Sequence, residues 1–121
     1  MIEVIEAMHE GYMTKHIYGS WRVGLITPAE RFEKITYLER HNETDEIFIL
    51  LSGRAILIGK DKNGLHTIEL ECGKLYCVPK AYWHNVRLYE YSVVAVVENA
   101  DTSKDNTEYI DFQVEENELK R

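Results

Sequence analysis

Cysteine is scarce in this chain of 121 residues, and no apolar run is longer than a single strand. Cys72 and Cys77 are separated by four residues, so they form neither a C-x-x-C redox pair nor a zinc knuckle. One pair of cysteines cannot build a disulfide framework, and two buried or half-buried free thiols are expected. The longest apolar stretches, Ile47–Leu51 and Val93–Val97, fall far short of the roughly 20 residues that cross a bilayer. Residues Met1–Glu10 carry acidic side chains and lack the apolar stretch of a signal peptide. The expectation is a cytoplasmic protein with no membrane partner.

Basic excess is missing as well. Fourteen lysines and arginines face 21 aspartates and glutamates, for a net charge of −7. The basic residues form no cluster and do not alternate with aromatics, which argues against nucleic acid as a partner. A convincing helical period is also absent between Gly19 and Glu98.

What is present is a series of short β-branched and aromatic runs, punctuated by Gly, Asn, Asp and Pro. Strands are predicted over Trp21–Ile26, Phe32–Arg40, Asp45–Leu51, Ala55–Lys60, Leu65–Leu70, Lys74–Val78, Asn85–Leu88 and Ser92–Glu98. A last strand is predicted at Tyr109–Val114. Asp61-Lys62-Asn63-Gly64 signals a hairpin with a type I′ turn. Met1–Ser20 adds an edge strand or a turn, and Glu115–Arg121 is a charged tail that frays or forms one helical turn. Strands at this spacing imply an all-β sandwich or barrel, with residues 1–121 as one domain.

Four residues carry the chemistry: Glu39, His41, Glu46 and His84. Carboxylates and imidazoles suit a borderline divalent metal, and strand alternation aims residues two apart at the same point. Ile35, Tyr37, Glu39 and His41 are expected to share an interior face. On the next strand both faces are apolar, so periodicity leaves the direction of Glu46 open. Glu46 has an alternative as an ion-pair partner of Arg40 or Arg54, and Glu39 as a partner of Arg22 or Arg87. His9, His16 and His66 lie outside any motif and are assigned to the surface or to loops.

Glu46 is followed by six residues and then Gly53, and four residues separate it from His41. Five residues separate Gly73 from Pro79, with His84 beyond. This spacing resembles the two motifs of the small cupins, G-x5-H-x-H-x3–4-E-x6-G and G-x5-P-x-G-x2-H-x3-N. The resemblance covers about residues 32–98 and extends to single-domain cupins with a Thr-Asp-Glu-Ile-Phe core and a Trp-His-Asn segment. Glu39 occupies the place of the first motif histidine and Glu33 that of the opening glycine. Ala81 replaces the glycine of the second motif, and Leu88 replaces its asparagine.

The resemblance implies a double-stranded β-helix, a jelly-roll barrel. It also implies a divalent metal (manganese, iron or zinc) on His41, Glu46 and His84. Glu39 is a fourth ligand or a catalytic base beside that metal. Tyr37 and Tyr76 are candidates to line a substrate pocket. The implied function is an enzyme acting on a small polar metabolite, a sugar or oxo-acid, by isomerisation, lyase, hydrolytic or oxygenase chemistry. The alternative is a binding, sensing or structural cupin without metal. A homodimer is expected in either case, because an open sheet edge needs cover.

Overall fold

The structure is a computed structural model and describes residues 1–119. Ten strands follow in order: β1 Tyr12–Tyr18, β2 Trp21–Ile26, β3 Tyr37–His41, β4 Glu46–Ser52, β5 Ala55–Asp61, β6 Gly64–Glu69, β7 Tyr76–Val78, β8 Trp83–Leu88, β9 Val93–Asn99 and β10 Thr107–Asp111. Two single-turn helices join them, α1 at Glu30–Glu33 and α2 at Glu116–Leu119. The strands form two five-stranded antiparallel sheets, ordered β1-β2-β9-β4-β7 and β10-β3-β8-β5-β6. No described helix is long and apolar enough to cross a membrane.

The sheets face one another across an interior built from alternate residues. Phe48, Leu50, Val94 and Val96 come from one sheet and Leu57, Val86 and Leu88 from the other, all buried. A second core lies outside the β10-β3-β8-β5-β6 sheet. There Ile35, Leu38, Ile56 and Ile58 are covered by Val114 and Leu119 of the C-terminal segment. Leu38 therefore points outward and Glu39 and His41 inward, as alternation requires.

Several expectations change. Phe32–Arg40 is not one strand, because α1 occupies its start and places Phe32 in the interior core. Ile35 precedes β3 and packs in the outer core with Leu38, so it does not share the face of Glu39 and His41. The predicted Tyr109–Val114 strand begins earlier, at Thr107, and ends at Asp111, which frees Val114 to cover the second core. Of the predicted tail, Glu116–Leu119 forms the helical turn, while Lys120 and Arg121 lie outside the described residues. The β5–β6 hairpin forms, but Gly64 alone carries the positive φ, so its turn is not type I′. Both cysteines are exposed rather than buried, with Cys77 on the edge strand β7.

One backbone feature sits next to the candidate site. Ala81, at the position of the motif glycine, has φ of 62°, a left-handed conformation that costs an alanine about 1 kcal/mol. The turn is tied at two points. Ala81 N–H donates to the His41 carbonyl at 2.7 Å, and Lys80 N–H donates to Asp45 at 2.9 Å. These bonds couple the entry to β8 with the end of β3. Ala81→Gly should therefore raise stability by up to about 0.5 kcal/mol, because relief of strain slightly outweighs the added freedom of the unfolded chain. Chemical denaturation would check this, and a loss of stability would show that the turn is not under strain.

Candidate functional site

The two sheets deliver the site from neighbouring positions. Glu39 pairs with His84 across β3 and β8, and His41 pairs with Thr107 across β3 and β10. β4 presents Glu46, Phe48 and Leu50 inward, which settles the direction that periodicity left open. His41, Glu46 and His84 are buried and Glu39 is half-buried.

The side chains converge on one point. His84 Nε2 lies 2.7 Å from Glu46 Oε1, and His41 Nε2 lies 3.2 Å from the same oxygen. Glu39 Oε2 stands 3.5 Å from His41 Nε2 and 4.0 Å from His84 Nε2. Each imidazole is held from behind through Nδ1. His84 Nδ1–H donates to the Tyr82 carbonyl at 2.8 Å, and His41 Nδ1 is 2.9 Å from the Thr107 hydroxyl. The Tyr82 ring lies against Gly59, where a Cβ would stand 2.5 Å from ring carbon Cε2.

The Tyr82 bond has a chemical consequence. A carbonyl can only accept, so it fixes the His84 proton on Nδ1 and turns the Nε2 lone pair toward Glu46. Two bare lone pairs cannot rest at 2.7 Å, so a proton or a cation must lie between them. His41 Nε2 is buried and makes no hydrogen bond within the described residues.

Sequence reasoning missed a fifth member, Glu98. It is buried at the end of β9, with Oε1 3.8 Å from His41 Nε2 and without a hydrogen bond of its own. Arg22 holds the other oxygen, Oε2, at 2.9 Å. The only sequence signal was shared parity, Val94, Val96 and Glu98 on one face opposite Arg22, Gly24 and Ile26. Potential ligand atoms of Glu39, His41 and His84, and of His41, Glu46 and Glu98, lie within 4.8 Å of one another. The site thus offers possible metal-binding groups.

The proposed ion-pair alternatives do not form. Arg22 pairs with Glu98, Arg40 with Glu108, Arg54 with Glu69 and Arg87 with Glu116. His9 donates to the Leu25 carbonyl, and the exposed His66 meets Asp61. A cavity of about 430 Å³ opens over the cluster, lined by Glu39, His41, Glu46, His84 and Glu98. Tyr37 is not part of that lining, but its ring lies 6.0 Å from Tyr109, which is. Tyr76 is likewise not in the lining. It packs against the interior core, and its hydroxyl accepts from Glu71 N–H at 3.0 Å.

Electrostatics follow from this crowding. Burial opposes a charge on His41, but the carboxylates of Glu39 and Glu46 prevail and raise it to about 10. Burial likewise disfavours a charged His84, yet the bond and the charge of Glu46 raise it above the ordinary histidine value. Burial pushes Glu46 up, but the two imidazoles pull it down to about 2. Burial and then the Glu46 charge lift Glu98 to about 7 against the pull of Arg22.

These directions predict a stability profile for protein stripped of divalent ions. The raised His41 contributes stability that is full below the unfolded value near 6.5 and is lost as pH rises toward about 10. Glu98, also raised, loses its contribution as pH rises from about 4.5 to about 7. Glu46, lowered, loses its contribution only as pH falls from about 4.5 toward about 2. The Tm of the stripped protein should therefore fall by roughly 3–10 °C between pH 6.5 and 10. His41→Asn should flatten that slope, and a parallel slope in the variant would refute the assignment.

No family model matches the chain, and no curated protein matches it. Solved structures do. A cupin-2 domain protein from Shewanella frigidimarina superposes with a TM-score of 0.60 at 21% identity, over 76% of this chain and 82% of its own. A double mutant of the QdtA 3,4-ketoisomerase from Thermoanaerobacterium thermosaccharolyticum, in complex with TDP, gives 0.61 at 22% identity. That match covers 74% of this chain, which spans only 64% of the ketoisomerase. Streptomyces Pac13, a nucleoside dehydratase solved with uridine, gives 0.68 at 8% identity over 94% of both chains. At these identities the likeness speaks to architecture, and the fold of this chain is that of the cupins.

Proposed function

We propose that the chain is a metal-dependent enzyme acting on a small polar metabolite, a sugar or oxo-acid. His41, Glu46 and His84 hold a divalent ion (manganese, iron or zinc), Glu98 completes the donor set, and Glu39 is the catalytic base. The observation that carries this reading is the meeting of two imidazole Nε2 atoms and a carboxylate, with the opposite ring nitrogens engaged elsewhere. Such an ion, when bound, polarises a carbonyl oxygen and acidifies the neighbouring C–H.

The protein side chains supply the rest. Glu39 is the least buried of the four expected residues, its side chain 25% exposed against 2–9% for the others. It therefore reaches the cavity while the others face one another. Its carboxylate can take a proton from a carbon beside a carbonyl and return it to an adjacent atom, which is an isomerisation. If a hydroxide leaves from the next carbon instead, the result is a dehydration. Phe48, Val86 and Ile26 give the cavity an apolar wall beside the cluster. The fold neighbours include an isomerase, a dehydratase and an oxidase, which supports an enzymatic role without choosing among these chemistries. It is the exposure of the Glu39 carboxylate to the cavity that favours proton transfer.

Elemental analysis of untagged protein should find about one manganese, iron or zinc per chain. His84→Ala should lose it while the barrel stays folded by circular dichroism. Absence of metal after reconstitution, or full metal in His84→Ala, would sink the reading. Glu39→Gln should keep the ion yet slow exchange of substrate C–H with solvent deuterium by about 10²-fold or more, read by NMR over a panel of sugars and oxo-acids. Loss of the ion in that variant would make Glu39 a ligand instead.

The enzyme is proposed to act in the cytoplasm as a homodimer. One sheet has its outer face covered by the chain's own C-terminal segment, whereas Val23, Leu25, Ile47, Ile49 and Val97 on the outer face of β1-β2-β9-β4-β7 stay only half-buried. Two rows cross that face, His16–Val23–Val97–Ile47–Cys77 and Met13–Leu25–Ala95–Ile49, and neither contains a charged side chain. Met1, Ile2, Val4, Ile5 and Met8 of the N-terminal segment are also exposed. A stable dimer buries roughly 800 Å² per partner, and these apolar side chains are the surface proposed to supply it. Sedimentation should find a dimer at micromolar concentration, with Ile49→Lys monomeric. A monomeric wild type at that concentration would remove the proposal.

A further inference from the structure

Among the described residues, every arginine but one has a carboxylate partner. Arg22, Arg40, Arg54 and Arg87 each make an ion pair with a glutamate. Arg31 makes none with any described residue, although Glu30 and Glu33 lie beside it on α1. It is also the arginine that lines the cavity without a carboxylate partner.

The guanidinium is placed rather than loose. Its central carbon sits 4.4 Å from the centre of the Phe32 ring, and Phe32 is buried in the interior core. Its Nη1 donates to the Tyr37 hydroxyl at 3.2 Å. Tyr37 stands beside Tyr109, itself in the cavity wall, so this cation is anchored at the mouth by two aromatic side chains. Lys104, from the turn at Lys104–Asn106, lines the same cavity. The inner end of that cavity carries Glu39, Glu46 and Glu98, which would repel an anion. The cavity is thus polarised, with carboxylates and imidazoles inside and, among its other lining residues, Arg31 and Lys104 without a carboxylate partner among the described residues.

We infer that Arg31, assisted by Lys104, binds an oxyanion of the substrate, a carboxylate or a phosphate, and so orients its uncharged end toward the inner cluster. A planar guanidinium forms paired hydrogen bonds with either group. The inference rests on the reading of the inner cluster as the reactive centre, and it narrows the substrate to a class, small anionic metabolites with a carbonyl or hydroxyl carbon. It also gives Tyr37 a role. Its hydroxyl is spent on Arg31, so it positions the cation at the mouth and leaves the inner cluster untouched.

The test uses the metal-reconstituted full chain and two probes, inorganic phosphate and succinate, titrated by NMR with observation of the arginine Nε–H signals. Wild type should bind at least one probe and shift the Arg31 signal. Arg31→Gln should weaken binding about tenfold or more, and Arg31→Lys should recover part of the loss. Metal content should be unchanged in both variants, since Arg31 is exposed and its side chain is held by Tyr37 and Phe32 rather than by the ligands. Preference for phosphate would direct the substrate search to phosphorylated sugars, and preference for succinate to oxo-acids, and either supports the proposal. Unchanged affinity in Arg31→Gln, or a wild type that binds neither probe, overturns it whatever the metal content. Anion binding through Arg31 in a protein that takes up no metal would uphold the anion site and remove the metal reading alone.

Discussion

Buried negative charge is the constraint on which this molecule turns. Glu39, Glu46 and Glu98 converge within one barrel, and Arg22 is the sole fixed cation among the groups they contact. Three carboxylates, when all are ionised, and one guanidinium leave two negative charges to be neutralised at side chains that, Glu39 apart, are buried. Leaving them bare would cost several kcal/mol each. His41 and His84 are the groups that answer this demand. Two extra protons on the imidazoles neutralise the cluster, and so does one divalent ion on neutral imidazoles. The raised histidines and the affinity for a cation have the same origin, since each expresses the same excess of carboxylate charge.

That equivalence explains why the supporting architecture is so specific. The Tyr82 carbonyl, the Thr107 hydroxyl and the Arg22 guanidinium each hold a site residue from outside the point of convergence. Gly59 gives the Tyr82 ring a seat, and the left-handed Ala81 bends the chain into β8 while bonding to the carbonyl of His41. Strain at Ala81 is tolerated because backbone bonds to two other segments over-determine the turn. A site member pulled out of place would expose its charge to the others, so positional precision and electrostatic balance reinforce one another.

How much of this was legible in the sequence differs from residue to residue, for physical reasons. The strand runs and an all-β sandwich or barrel followed from composition and turn residues, whereas the jelly-roll form and the set His41, Glu46 and His84 came through the resemblance in motif spacing. Glu39 followed from parity with His41 even though Ile35, used as a marker of that face, belongs to the outer core. The direction of Glu46 was hidden because β4 is apolar on both faces. One face feeds the interior and the other, with Ile47 and Ile49, lies half-buried on the outside of the sheet, and a period of two cannot tell them apart. Glu98 escaped for the same reason, since Val93–Val97 also reads as apolar throughout. Its membership depends on pairing with Arg22 76 residues away in sequence, and no local pattern encodes that distance. Helix α1 was missed because four residues contain barely one turn, too few for a 3.6-residue period to register.

The comparisons sharpen the division between scaffold and chemistry. Pac13 shares 94% of its length with this fold at 8% identity, so the architecture tolerates nearly complete replacement of its residues. What it requires is alternation of apolar side chains along paired strands, and many sequences satisfy that. The reactive centre has no such freedom, because its carboxylates, imidazoles and guanidinium must balance charge within a few ångströms. Replacing a motif histidine with Glu39 therefore changes more than one donor. It adds negative charge where an imidazole would have been neutral, and the balance of the remaining groups must move with it. A fold-level likeness cannot settle the reaction for that reason. The charge count at the inner end of the cavity and the unpaired Arg31 in its lining are properties of these particular residues, and they define what can enter and what can happen there.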